Sequence, residues 1–72
     1  MSSTDFPRLR EELEHRILAL TGRRVRNLDI NLSLEGVILK GEAQTFYVKQ
    51  LAQQGVREVL PDVHLDNAIQ VA

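Results

Sequence analysis

The segment Leu28-Asp29-Ile30-Asn31-Leu32-Ser33-Leu34 alternates apolar and polar residues without a break. Strict period two puts every apolar side chain on one face of a strand, so this stretch demands a half-buried β-strand. Glu35-Gly36 follows as a two-residue turn, with Gly supplying positive φ, and Val37-Ile38-Leu39-Lys40-Gly41 returns antiparallel. With that turn Leu34 faces Val37 and Leu32 faces Leu39 on the apolar side. Ser33 then pairs with Ile38, and Asn31 with Lys40, on the other. A two-stranded hairpin is marginal in water, so the rest of the chain must cover its apolar face.

Two helical patterns can do so. Phe6, Leu9, Leu13, Ile17 and Leu20 recur at spacings of three and four, with Pro7 suited to the first turn. Thr4 or Asp5 can cap this helix, and Gly22 can end it in a left-handed conformation. Glu11, Glu12, Glu14, His15 and Arg16 fall on its polar face, with Glu12 and Arg16 spaced for a weak ion pair. Val48, Leu51, Ala52, Gly55, Val56 and Val59 form a second stripe, opened by Gln44 or Thr45 and closed by Pro61-Asp62. Gly55 on the inward stripe predicts a close contact with the sheet or the other helix. Val63, Leu65, Asn67, Ile69 and Val71 share one parity and predict a third strand.

The fold class is therefore α+β: a two-layer αββαβ sandwich with both helices on one face of a three-stranded mixed sheet. Strand order 1-2-3 follows from a right-handed crossover through the second helix. Placing strand three beside strand one gives an all-antiparallel alternative. Residues 1–5 read as a frayed tail and 6–72 as a single domain. At 72 residues without cysteine, the core rests on hydrophobic burial alone.

Composition removes several functions. Nine basic and ten acidic residues leave a formal charge of −1, and Phe6, Phe46 and Tyr47 are the only aromatics. Neither fits nucleic-acid binding, which relies on basic surfaces and stacking platforms. No apolar run reaches a membrane span, and the first residues lack a signal-peptide pattern. The chain reads as soluble and cytoplasmic as written, unless it is a domain excised from an envelope protein. His15 and His64 fall at outward positions on different elements, and the glycines are isolated. No catalytic site, metal site or cofactor is expected.

Two features stand out from this background. Arg23, Arg24 and Arg26 crowd the connection after the first helix. Positive charge there complements the helix dipole, and it also attracts anionic lipid headgroups. Leu18, Phe46 and Tyr47 miss the apolar stripes, as does Ile38 on the open sheet face. Leu18 with the two aromatics is a candidate wedge for a membrane or a protein partner. Ile38 with Ala68 is a candidate dimer face, although Asp29, Asn31, Lys40 and Gln70 around them favour solvent, and a monomer is expected.

The αββαβ order carries two further motifs. The hairpin Gly36-Val37-x-Leu39-x-Gly41 and the ending Leu65-x-Asn67-x-Ile69-x-Val71 resemble the BON domain, a family named for bacterial osmotically induced and nodulation-related proteins. The likeness covers about Arg8 to Val71. It departs at Pro61-Asp62-Val63, where the family commonly has Gly-Val, and the segment up to Asn67 is one residue short. The resemblance implies a non-catalytic module for phospholipid or membrane association, or for protein contacts, found in exported or envelope proteins.

Overall fold

The structure, a computed structural model, describes residues 5–72. Helix α1 (Phe6–Thr21) begins where the Asp5 carboxylate accepts the Arg8 N–H at 3.2 Å. Asp5 is thus the cap, while the rest of the expected frayed tail, Thr4 included, lies outside the described residues. Gly22 ends the helix at φ 63°, and the Arg23 N–H closes back on the Leu18 carbonyl at 2.9 Å. Leu13 and Ile17 are fully buried. So is Thr21, whose hydroxyl donates to the Ile17 carbonyl at 2.8 Å and thereby meets its hydrogen-bonding need inside the core. Arg16 turns from the expected partner Glu12 to Glu58 of the second helix, at 2.8 Å.

Strands β1 (Arg26–Ser33) and β2 (Gly36–Ala43) pair antiparallel. The register differs from the sequence expectation by two residues: Leu32 faces Val37 and Ile30 faces Leu39, with Asn31 opposite Ile38. An even shift leaves every side chain on its expected face. Its cost falls on Leu34, which moves into the Leu34-Glu35 turn and is 90% exposed. The Ser33 hydroxyl accepts the Glu35 N–H at 3.1 Å and holds that turn. Gly36 is not a turn residue but the first of β2, with φ 147°. At the far end of the hairpin, Asn27 takes φ 55° and the pairing slips by one residue between Arg26 and Asp29. This bulge sits against Gly41, where a Cβ would lie 3.0 Å from the Arg26 carbonyl oxygen.

Helix α2 (Phe46–Val59) is capped by Thr45, whose hydroxyl accepts the Val48 N–H at 3.2 Å. Gly55 resolves the choice between sheet and helix contact. A Cβ there would lie 3.1 Å from Ile17 Cγ1 and 3.3 Å from Ile17 Cα, so the missing side chain lets the two helices approach. After α2, the Arg57 guanidinium donates to the carbonyls of Pro61 and Val63 and fixes the turn into the last strand.

Strand β3 (Leu65–Val71) runs parallel to β2, giving the order β1-β2-β3. The all-antiparallel alternative is thereby set aside. Val63, expected inside the strand, precedes it and packs on the core edge. Core residues come from both helices, from Ile30, Val37, Leu39, Ala43 and Ile69 of the sheet, and from Val25 in the arginine-rich connection. Val25 sits between three arginines and shows no periodic signal, so only the structure reveals it as buried.

Candidate functional site

The helices run antiparallel, as the contacts of Ile17 with Gly55 and Arg16 with Glu58 require. The end of α1 therefore lies toward the start of α2. The start of β1 joins them there, since Arg26 pairs with Glu42 near the end of β2. Arg23, Arg24, Arg26, Phe46 and Tyr47 thus gather at one end of the domain. Phe46 and Tyr47 are 60% and 62% exposed.

The three arginines are not equivalent. Arg24 Nε donates to the Thr21 carbonyl at 2.7 Å and satisfies one of the open carbonyls at the end of α1. Arg23 stands in the left-handed region at φ 59° with its side chain exposed. Arg26 is exposed, and neither it nor Arg23 forms a salt bridge among the described residues. Two of the three guanidinium groups are accordingly available to an anion, and the third has a structural task.

Leu18 does not join this group. It follows Glu14 by one turn, on the flank of α1 that faces Leu28, Asp29 and Ile30 of β1. It is half-buried there. Phe46 lies on the opposite flank of the helix layer, in a shallow groove with Lys49, Gln53, Arg57 and Asn67 beside β3. Tyr47, one residue on, lies about 100° further round α2 and is exposed. Of the candidate wedge, Phe46 and Tyr47 are exposed and Leu18 is half-buried. Ile38 lies on the open sheet face at 37% exposure.

His15 is exposed on the outer face of α1 among Glu11, Glu12 and Arg16, and His64 is exposed just before β3. Among the described residues no group of three His, Asp or Glu side chains converges as a metal site would require. No helix among them is long and apolar enough to cross a membrane.

Asn67 has a role that its position in an apolar alternation does not disclose. Its Nδ2 donates to the Lys49 carbonyl of α2 at 3.0 Å, and its Oδ1 accepts the Ile69 N–H at 3.2 Å. One amide thus ties helix to strand and occupies a donor of the last strand. Asn67→Ala is expected to cost about 1–2 kcal/mol, since the hydrogen bonds to the Lys49 carbonyl of α2 and the Ile69 N–H of β3 are lost. Urea denaturation of the two proteins measures this; a change below the error of the midpoint would remove the role. Scans against family models, curated proteins and solved structures find no match to this chain.

Proposed function

We propose that this chain is a non-catalytic, BON-like binding module whose arginine-and-aromatic end associates with anionic phospholipid surfaces. The reading is supported by the exposure of Arg23 and Arg26 in the segment from α1 into β1, and of the Phe46 and Tyr47 rings at the start of α2, which follows the strand end that Arg26 pairs with. A basic residue near an anionic leaflet contributes about 1 kcal/mol, so the arginines give weak, salt-sensitive attraction. Aromatic rings at the same end add apolar contact at headgroup depth, where amphipathic side chains are favoured. The separation of His15 from His64, each exposed, supports a role in binding rather than catalysis.

Co-sedimentation with phosphatidylserine-containing and pure phosphatidylcholine vesicles tests the proposal. Binding to the anionic vesicles alone is expected, and Arg23→Glu with Arg26→Glu should weaken it by at least about tenfold. Phe46→Ser with Tyr47→Ser should weaken it further at high salt, where the electrostatic part is screened. Equal binding to both vesicle types, or none to either, would leave the second reading, a protein-contact module without lipid affinity. That reading is favoured by a different part of the molecule, the outer edge of β1.

A further inference from the structure

The two edges of the sheet are not alike. On β2 the Val37 N–H donates to the His64 carbonyl at 2.8 Å, and the Ala43 carbonyl accepts from Ala72 at 2.9 Å. Odd-numbered residues of β2 therefore turn their backbone groups toward β3, and even-numbered ones turn toward β1. Asp29 and Asn31 pair with Lys40 and Ile38, so they face inward. Ile30 and Leu32 are left with N–H and C=O groups on the outer side of β1, and among the described residues no hydrogen bond to them is made there. On β3 the same alternation turns Leu65, Asn67, Ile69 and Val71 outward. There the central donor, the Ile69 N–H, is already taken by Asn67 Oδ1. One edge is blunted and the other is open.

A groove runs beside the open edge. Its floor is β1 from Leu28 to Leu32, and its wall is the flank of α1 carrying Arg10, Glu11 and Glu14. The Asp29 side chain, opposite Lys40, points to the other face of the sheet. Arg10 thus stands beside two carboxylates, Glu11 and Glu14, and none of the three forms a salt bridge among the described residues. Leu28 and Leu32 are only half-covered.

The geometry points to a strand-addition site: we infer that the outer edge of β1 accepts an extended peptide segment of another protein, with Lys or Arg at alternate positions. Main-chain hydrogen bonds to Ile30 and Leu32 supply register-specific affinity. The alternate basic side chains meet Glu11 and Glu14 while their methylene stems cover Leu28 and Leu32. A second copy of this chain is a poorer occupant. Pairing β1 with β1 would set the same carboxylates against their symmetry mates, and the β3 edge of another copy is blunted by Asn67.

The probe is a short capped peptide alternating Lys and Thr, with its Glu–Thr counterpart as control, followed by amide hydrogen exchange at each residue. Saturating Lys–Thr peptide is expected to slow exchange at Ile30 and Leu32 by about tenfold or more. Glu11→Lys with Glu14→Lys, both exposed, should weaken binding roughly three- to tenfold. N-methylation of one alternate set of peptide amides should abolish the protection, and methylation of the other set should preserve it. The inference is overturned by unchanged exchange at Ile30 and Leu32, by equal binding of the Glu–Thr peptide, or by indifference to both methylations. Protection that grows with protein concentration and no peptide would assign the edge to a second copy instead. Arg23→Glu with Arg26→Glu should leave the peptide effect intact, which keeps this test separate from the lipid one.

Discussion

Leu39→Ala is expected to lower the unfolding free energy by about 3–4 kcal/mol, which is a large part of the stability of a domain this small. Leu39 is fully buried on the central strand, beneath both helices. Truncation removes its transfer free energy and leaves a cavity that strands paired on both sides cannot collapse to fill. A chain of this length is held by roughly 4–10 kcal/mol in total. The urea midpoint of the variant should therefore fall by about a third or more, reaching zero where the parent lies at the low end of that range. Leu34→Ala is the internal control. Leu34 is as large but 90% exposed, and its truncation should fall within about 0.5 kcal/mol of the parent. Similar losses at the two positions would mean that the hairpin pairs in the register with Leu34 opposite Val37.

Gly36→Ala is the second large effect, expected at about 3 kcal/mol or more. Two causes act together. At φ 147° an L-residue is strained, at a cost of about 1–3 kcal/mol. The new Cβ would also lie 2.3 Å from the His64 carbonyl oxygen. That oxygen accepts the Val37 N–H, so relief by movement breaks the first bond between β2 and β3. Because the nearest atom is backbone, adding His64→Ala should not rescue the variant. Thermal unfolding of the single and double variants checks this. Full rescue would show that the imidazole, not the chain path, excludes a side chain at Gly36.

These two positions show how far the sequence can be read. The alternation in Leu28 to Leu34 has period two, so it assigns faces correctly for any even register and is blind to a shift of two. Gly36 announces an unusual conformation in any sequence. Whether that serves a turn or the close passage of another strand depends on where His64 lies, which is a tertiary fact. The bulge at Asn27 is hidden for the same reason, since it depends on the approach of Gly41. By contrast, the order of elements and the stop at Gly22 follow from local chemistry; the other caps narrow to Thr4 or Asp5 and to Gln44 or Thr45, and the mixed sheet is the favoured of two topologies.

The candidate site divides along the same line. Arg23 and Arg26 stand out as charge in a connection, and Phe46 and Tyr47 as apolar residues off a stripe. Helical angle places Leu18 off its own stripe but cannot say how far its neighbours cover it, and it proves to be half-buried. The outer edge of β1 left no mark in composition. Which backbone groups remain unpaired follows from strand order and from the side chain of Asn67.

The parallel pairing of β2 with β3 also bears on the order in which the chain assembles. The hairpin closes over two residues and can form early, at little loss of chain entropy. Every β2–β3 pair, in contrast, spans the whole of α2, so the last strand gains its partners only after that helix has been laid down. The domain is thereby divided into a locally encoded front half and a late-docking C-terminal strand. Partial opening should begin with that strand, as Arg57 and Asn67 release their carbonyls, while the hairpin and α1 remain folded.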